Sequence, residues 1–174
     1  MKQLSYQIGG LKLASALLVL FMSGLVMATP LSDLKKVGEA KLKVLFWDVY
    51  NSSLYNQSGV YQAENFPQAL KISYLRDIDA EDLIEKTQDE WEKLGIQEKA
   101  FSQWLPLLTD ILPDIKKGDT LLLNVDKNLQ SEFFFNGKRI GKITDQTFGK
   151  SFLRIWLDKN CSYPKVRNKL IGLK

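Results

Sequence analysis

The sequence contains no histidine, and Cys161 is its only cysteine. The absence of imidazole excludes Ser–His and Cys–His nucleophiles, histidine general bases and His-ligated metals. A lone cysteine cannot form an intrachain disulfide and is usually buried and inert; a reactive or intermolecular role is the alternative. These absences leave Asp, Glu, Lys, Arg, Tyr, Ser and Thr for chemistry, and we predict neither a metal nor a cofactor.

The chain also lacks a strong excess of charge of one sign. It carries 24 basic and 20 acidic residues over 174 positions, a net charge of +4. The leader predicted below removes two lysines, which leaves 22 basic and 20 acidic residues and a net charge of +2. Since the charges are interleaved, this surplus is too small to indicate nucleic acid or an anionic membrane surface as the main partner.

The first 28 residues have the pattern of a secretory signal peptide. Lys2 precedes an apolar run from Leu13 to Met22, and the segment ends in small residues at Ala28. The run is short for a membrane span, which needs about 20 apolar residues. We therefore expect cleavage after Ala28 and a mature protein that is periplasmic or secreted, with no membrane span. An uncleaved anchor is the alternative.

Residues 29–174 are enough for one domain with its own hydrophobic core. Alternating apolar residues with β-branched and aromatic side chains predict strands. We place them at 36–51, as one strand or two with a kink, and at 54–55, 69–75, 120–125, 131–135 and 138–143. Asn51-Ser52-Ser53 predicts a turn before the short strand at 54–55. Asn136-Gly137 between the last two strands predicts a tight hairpin.

Helical spacing of apolar residues predicts four helices. They span 79–94, 98–112 with Pro106 inside, about 145–157, and a short segment from Pro164. Asp79 and Asp145 are the expected N-caps of the first and third helices. Because strands and helices do not alternate, the order predicts an α+β fold with an antiparallel sheet covered on one face by helices.

Two residue classes are candidates for a binding site. Lys41 and Lys43 share one strand face, which is either a solvated surface or the cationic rim of a pocket that binds a carboxylate or phenolate. The aromatic residues predict mainly core, but Phe133 to Phe135 place rings on both faces of one strand. Such a strand is either covered on both sides or lines a cavity for a flat or long apolar ligand. The acids at 77–82 lack calcium-loop spacing and suit a helix N-terminus instead.

Several segments, in order, resemble the chalcone isomerase-like superfamily, in particular its bacterial secreted branch. They are residues 38–50 with Leu54-Tyr55, 74–78, 135–141 and 152–158, followed by Ser162 and Pro164. The resemblance implies an open-faced β-sandwich, in which helices overlie a large antiparallel sheet and leave a cleft between the layers. Plant members cyclise a chalcone to a flavanone, whereas other members bind fatty acids without catalysis.

The catalytic residues of the enzymes are poorly matched here. The arginine of the first strand pair corresponds to Lys41, the water-ordering threonine falls near Leu45, and the late Thr/Ser contact falls near Ile155. The enzymes' tyrosine and asparagine around the first long helix have no clear counterpart between 79 and 91. Leucine and isoleucine cannot polarise a ketone or orient a water molecule. The resemblance therefore implies a non-catalytic protein with an apolar site.

The first functional hypothesis is a non-catalytic protein that binds a small apolar acid, such as a fatty acid, in the sheet–helix cleft. Lys41 or Arg76 would contact the head group. The predicted apolar lining consists of Trp47, Tyr50, Tyr74 and Trp104.

Two alternatives remain open at this point. One is an isomerase or intramolecular lyase, with Lys41 as electrophile and Tyr50 or Tyr55 as acid–base group. The other is an envelope interaction protein whose cleft is filled by its own side chains. The sequence predicts neither the oligomeric state nor the ligand's identity.

Overall fold

The computed structural model describes residues 31–173, so the predicted leader and its cleavage site lie outside the described residues. The strands are Lys35–Val44 (β1), Trp47–Asn56 (β2), Gln68–Tyr74 (β3), Thr120–Val125 (β4), Ser131–Phe135 (β5) and Lys138–Ile143 (β6). The helices are Ala80–Lys93 (α1), Glu98–Ile111 (α2), Phe148–Leu157 (α3) and Pro164–Leu170 (α4). None of the helices within this range is long and apolar enough to cross a bilayer.

The six strands form one antiparallel sheet in sequence order, with β1 and β6 at its two outer edges. Helices α1 and α2 are inserted between the adjacent strands β3 and β4. Alternate residues point to the helix-covered face and to the open face. Leu42, Tyr50 and Tyr74 are buried on the covered face, whereas the adjacent residues Lys41 and Asn51 lie on the open face. The predicted α+β fold, with helices on one face of an antiparallel sheet, is therefore confirmed.

The first hairpin differs from the sequence prediction. Residues 36–51 contain two strands, as one of the two alternatives had it, but a two-residue hairpin loop at Leu45-Phe46 joins β1 and β2 instead of a kink. The Asn51-Ser52-Ser53 segment, predicted as a turn, lies inside β2. Ser52 is fully buried there, and its hydroxyl donates to the Ala40 carbonyl at 3.1 Å. This bond and the ladder on both sides override the turn preference of these residues.

The predicted helices are present, but their first turns are held differently. Asp79 occupies the N-cap of α1 without a side-chain cap; instead the Ala80 N–H donates to Asp114 Oδ1 at 2.9 Å. Helix α3 begins at Phe148 with Thr147, not the predicted Asp145, as its N-cap, and Asp145 accepts the Thr147 N–H at 2.8 Å. Aspartate thus satisfies amides at both helix starts, once from a distant loop and once from a local turn.

A cluster of aromatic rings fills the space between the helices and strands β4 to β6. Trp91 is fully buried at its centre and packs against Trp104, Phe148 and Phe152, with ring centroids 5.3 to 6.2 Å apart. Phe133 joins this cluster from β5, whereas the neighbouring Phe134 lies on the open face. Strand β5 is therefore covered on one side only, and its aromatic rings pack in the core and on the open surface.

We predict that Leu45→Gly will stabilise the protein. Leu45 has φ of 54° and its side chain is 84% exposed. A residue with a Cβ pays about 1–2 kcal/mol in the left-handed region, which glycine does not. After the extra chain entropy of glycine, we expect a net gain of up to about 1 kcal/mol, measured by urea denaturation.

The matched control is Val60→Gly, because Val60 is also exposed but is not among the residues with positive φ. Here glycine only increases the entropy of the unfolded chain, so stability is expected to fall. Equal losses in the two variants would contradict the assignment of strain to Leu45.

Candidate functional site

A cavity of about 600 Å³ lies between the covered face of strands β1 to β4 and helices α1 and α3. Its apolar lining includes Leu42, Ile72, Leu83, Leu121, Phe152 and Ile155. The volume is within the range of about 300–1,000 Å³ that is typical of small-molecule sites. The aromatic cluster fills the other half of the interlayer space, so the cavity occupies the part where aliphatic strand residues face α1. The cleft is thus open in this half of the fold.

Two tyrosines place buried hydroxyl groups in the lining of the cavity. Tyr50 and Tyr74 are neighbours across β2 and β3, with ring centroids 6.2 Å apart in an edge-on arrangement. The indole N–H of Trp156 donates to the Tyr50 hydroxyl at 2.8 Å, which leaves the Tyr50 O–H to donate elsewhere. Burial raises the pKa of both tyrosines far above the ordinary value. Both therefore act as neutral hydroxyl groups at physiological pH.

Arg76 supplies positive charge at the cavity mouth. Its guanidinium lies 5.9 Å from the centre of the Trp47 ring, a cation–π contact. Within residues 31–173 it forms no ion pair, although the next residue, Asp77, also lines the cavity. The Lys117 backbone N–H, bound at 2.8 Å, and the Lys116 ammonium at 3.3 Å hold the pKa of Asp77 below its usual range. Because Asp77 is occupied by these partners, Arg76 is able to bind an incoming anion.

Glu90 is a buried carboxylate on the α1 side of the cavity. It accepts a hydrogen bond from Ser162 Oγ at 2.5 Å and pairs with Lys86 at 3.0 Å and Lys93 at 3.3 Å. Burial favours a higher pKa, but the Ser162 hydroxyl and the Lys86 ammonium outweigh it, so the pKa of Glu90 is lowered overall. The Ser162 bond also ties α1 to the segment before α4.

The lowered pKa of Glu90 predicts that part of the stability is lost in acid. A group with a depressed pKa in the folded state stabilises above its unfolded pKa, about 4.3, and this contribution disappears as pH falls through the folded value. We expect Glu90→Gln to be less stable than wild type at pH 7, and the difference to shrink below about pH 4.3. Urea denaturation at pH 7, 5, 4 and 3 measures this.

The control for this experiment is Glu92→Gln, because Glu92 is an exposed residue of the same helix. Its curve should run nearly parallel to wild type over the whole pH range. If the difference in unfolding free energy between wild type and Glu90→Gln stayed constant down to pH 3, the ion-pair argument would be contradicted.

The structure brings together three of the six predicted ligand-binding residues. Tyr50, Tyr74 and Arg76 line the cavity. Trp47 is 66% exposed and covers Arg76 at the mouth without belonging to the lining. Trp104 is 2% exposed in the aromatic cluster, where its indole N–H donates to Asp145 at 2.8 Å.

Lys41, the remaining predicted residue, lies on the open face of the sheet. Its ammonium pairs with Asp48 at 2.8 Å, on the side of β1 opposite to the cavity. Tyr55 of β2, which pairs with Ala69 of β3, also lies on the open face, whereas Tyr50 lines the cavity. Lys41 and Tyr50 thus lie on opposite faces of the sheet, so this pair of the isomerase hypothesis does not form one site. Lys41 and Tyr55 share the open face, but Lys41 pairs with Asn51, four residues before Tyr55, and both lie away from the cavity.

Other lining residues were missed by the sequence analysis. Ile155 and Trp156 of α3 and Thr87 of α1 face the cavity together with Glu90. The helical spacing of Phe152, Ile155 and Trp156 predicts a shared helix face but does not distinguish a cavity wall from a packed core. Glu90 is three and four residues from two lysines, which is also common on solvated helices. Within residues 31–173, no three acidic or cysteine side chains are grouped to hold a metal ion.

Comparisons with known proteins agree with this architecture. A family model described as chalcone isomerase-like matches residues 30–172. An uncharacterized protein of Haemophilus influenzae is 24% identical over 145 residues, covering 83% of this chain and 71% of that protein. The crystal structure of an Arabidopsis thaliana fatty-acid binding protein superimposes with a TM-score of 0.65 at 12% identity, covering 80% of this chain and 87% of that one. The structural likeness concerns the fold.

Proposed function

Because the chain belongs to the chalcone isomerase-like family, we propose that it is a non-catalytic member that binds a small apolar acid in the cavity. A fatty acid is the ligand class that fits best. The single observation that carries the proposal is an apolar cavity of about 600 Å³ with Arg76 at its mouth. The Arabidopsis thaliana protein of similar fold is itself a fatty-acid binding protein, which supports the same ligand class.

The distribution of charge around the mouth supports one orientation of the ligand. Asp82, Glu85 and Asp89 line the α1 side, where the cation Lys86 is already paired with Asp89 and Glu90, so a carboxylate would be repelled there. On the sheet side, Arg76 stands next to the neutral Tyr50 and Tyr74 hydroxyls. The head group would therefore bind Arg76 through charge-assisted hydrogen bonds, and the acyl chain would extend inward over the aliphatic lining.

Several observations favour binding over catalysis. Lys41 and Tyr55 lie on the open face, away from the cavity. The positions that correspond to the enzymes' hydroxyl donors are Leu45, in the exposed hairpin loop, and Ile155, an apolar part of the lining. Neither side chain can stabilise a developing oxyanion or order a water molecule. Tyr50 and Tyr74 have pKa values raised by burial, which opposes their use as bases near neutral pH.

The place of action is also part of the proposal. The sequence pattern of residues 1–28 supports export and cleavage after Ala28, which would place the protein in the periplasm or outside the cell. Residues 74–78 and 135–141, which resemble the bacterial secreted branch of the family, support the same place of action. An exported protein of this kind would carry apolar acids through an aqueous compartment.

One purification tests both parts of the proposal. The protein is isolated from its own cells and its mass is measured twice, under native and under denaturing conditions. We expect the native spectrum to show a co-purifying apolar acid. We expect the mass under denaturing conditions to correspond to a chain that begins at Thr29. A ligand-free protein that also binds no fatty acid from C8 to C18 in titrations would overturn the ligand, and an intact leader would overturn the cleavage.

A further inference from the structure

Apolar side chains project into solvent at the β1–β2 loop, which we call the hairpin tip (residues 44–47). The exposed fractions are 39% for Val44, 84% for Leu45, 92% for Phe46 and 66% for Trp47. Val44 and Trp47 pair across the end of the hairpin, and Leu45-Phe46 form the loop between them. No other run of consecutive large apolar residues within residues 31–173 is exposed in this way.

The residues of the hairpin tip are a poor choice for the fold alone. A two-residue hairpin loop with positive φ at its first position favours glycine there, yet this chain has Leu45 at φ of 54°. The next residue, Phe46, has almost no contact with the protein. The hairpin tip therefore combines backbone strain with exposed apolar surface. This combination is typical of a segment that binds another molecule.

The hairpin tip is continuous with the mouth of the cavity. Val44 lines the cavity from one side of the tip, and Trp47 covers the guanidinium of Arg76, which lines it from the other. Whatever binds the tip is therefore in direct contact with the entrance. A fluid apolar phase at this position would let a ligand enter without crossing water.

The size, shape and charge of the tip fit a lipid surface. Four side chains of this exposure offer roughly 500 Å², below the about 800 Å² per partner of a stable protein interface. Phenylalanine and tryptophan are side chains that insert at a bilayer interface. Behind the tip, Lys41 and Lys43 share the single acid Asp48, and Arg76 adds a third cation, so this end of the hairpin is net positive.

We propose that the hairpin tip inserts into the interfacial region of an anionic lipid bilayer and places the cavity mouth against it. Leu45, Phe46 and Trp47 enter the acyl boundary, and Lys41 and Lys43 remain at the level of the phosphates. The small net charge of the whole chain does not oppose this, because insertion of apolar side chains supplies most of the affinity. The protein would then exchange its ligand with the membrane at this entrance.

Flotation with vesicles tests the proposal. Vesicles of phosphatidylcholine with about 30% phosphatidylglycerol are expected to carry the wild-type chain upward, and pure phosphatidylcholine less. Leu45→Gly with Phe46→Ser is suited to the turn and should reduce binding at least about tenfold. Val60→Ser with Leu173→Ser, two exposed apolar residues outside the tip, is the matched control and should bind as wild type.

A probe in the tip separates insertion from binding by any other segment, including an uncleaved leader. Cys161 is buried, so a fluorophore can be attached selectively to Phe46→Cys, or to Val60→Cys as control. With vesicles, quenching by a lipid-borne nitroxide is expected at position 46 and not at position 60. Equal quenching at both positions, or no quenching at either, would overturn the proposal. Self-association of the protein that the tip variant abolishes, without any binding to vesicles, would also overturn it.

The outcome is distinguishable from the fate of the ligand proposal. Leu45 and Phe46 do not line the cavity, so the double tip variant should bind a fatty acid in detergent-free solution as wild type does. Normal vesicle binding without fatty-acid affinity would refute only the ligand, and normal fatty-acid affinity without vesicle binding would refute only the docking.

Discussion

Arg76→Ala should weaken the affinity for a fatty acid by about 10- to 100-fold. Hydrogen bonds to a charged group contribute roughly 1.5–3 kcal/mol, and each 1.4 kcal/mol is about a factor of ten. The guanidinium lines the cavity mouth and, within residues 31–173, contacts an aromatic ring rather than a carboxylate. Calorimetric titration of delipidated protein with a C16 acid measures the change. The affinity of Arg76→Lys should lie between those of wild type and Arg76→Ala, since lysine keeps the charge but lacks the planar pair of donors.

Arg139→Ala is the matched control for this experiment. Arg139 is exposed like Arg76, but it lies on the far outer strand β6, where it pairs with Glu132 at 3.1 Å. Its removal should leave the affinity unchanged. If Arg76→Ala bound the acid as tightly as wild type does, the head group would not be at the proposed end of the cavity.

Trp91→Ala should cost about 3–5 kcal/mol of unfolding free energy, the range observed for large aromatic residues in cores. Trp91 is fully buried, contacts four other rings, and donates its indole N–H to the Ser151 carbonyl at 3.1 Å. The substitution leaves a void where α1 meets α3 and also removes the hydrogen bond to that carbonyl. Since a domain of this size has about 5–15 kcal/mol in total, the variant should unfold at a much lower urea concentration.

The control is Trp47→Ala, which removes the same side chain from the hairpin tip. Trp47 is 66% exposed, so the expected loss is within about 0.5 kcal/mol. If Trp91→Ala does not fold, Trp91→Phe, which keeps an aromatic ring, should show a smaller loss in the same direction. Equal effects at positions 91 and 47 would contradict the view that the aromatic cluster holds the helical layer in place.

The fold was predictable because its local signals agree with the tertiary structure. The Asn136-Gly137 turn has positive φ at both residues and joins β5 to β6 as expected. The helical periods of α1 and α3 bury the faces that the sequence indicated. The β1–β2 hairpin was missed because Leu45-Phe46 carries no turn residues, whereas Asn51-Ser52-Ser53 does. Long-range pairing decided both cases.

The candidate site was only partly predictable, for a physical reason. Strand alternation places Tyr50 and Tyr74 on a buried face, and Arg76 follows the end of β3 by two residues. The positions of these three residues therefore follow from the local sequence pattern. The face that Lys41 occupies depends on which alternate row of β1 the helices cover. Trp104 and Trp47 are the same residue type, but Trp104 is enclosed by neighbours distant in sequence, whereas Trp47 contacts the Arg76 guanidinium and is otherwise mostly exposed. Exposure of that kind is not encoded locally.

Within residues 31–173, the simple strand order leaves each of the outer strands β1 and β6 paired on one side only. An uncovered strand is a template on which a second copy can pair and seed fibril growth. Here β1 carries Lys35, Lys36, Lys41 and Lys43, and β6 carries Lys138, Arg139 and Lys142. Edge-to-edge pairing of two copies would therefore bring lysine-rich strands together, and the repulsion between them opposes such pairing.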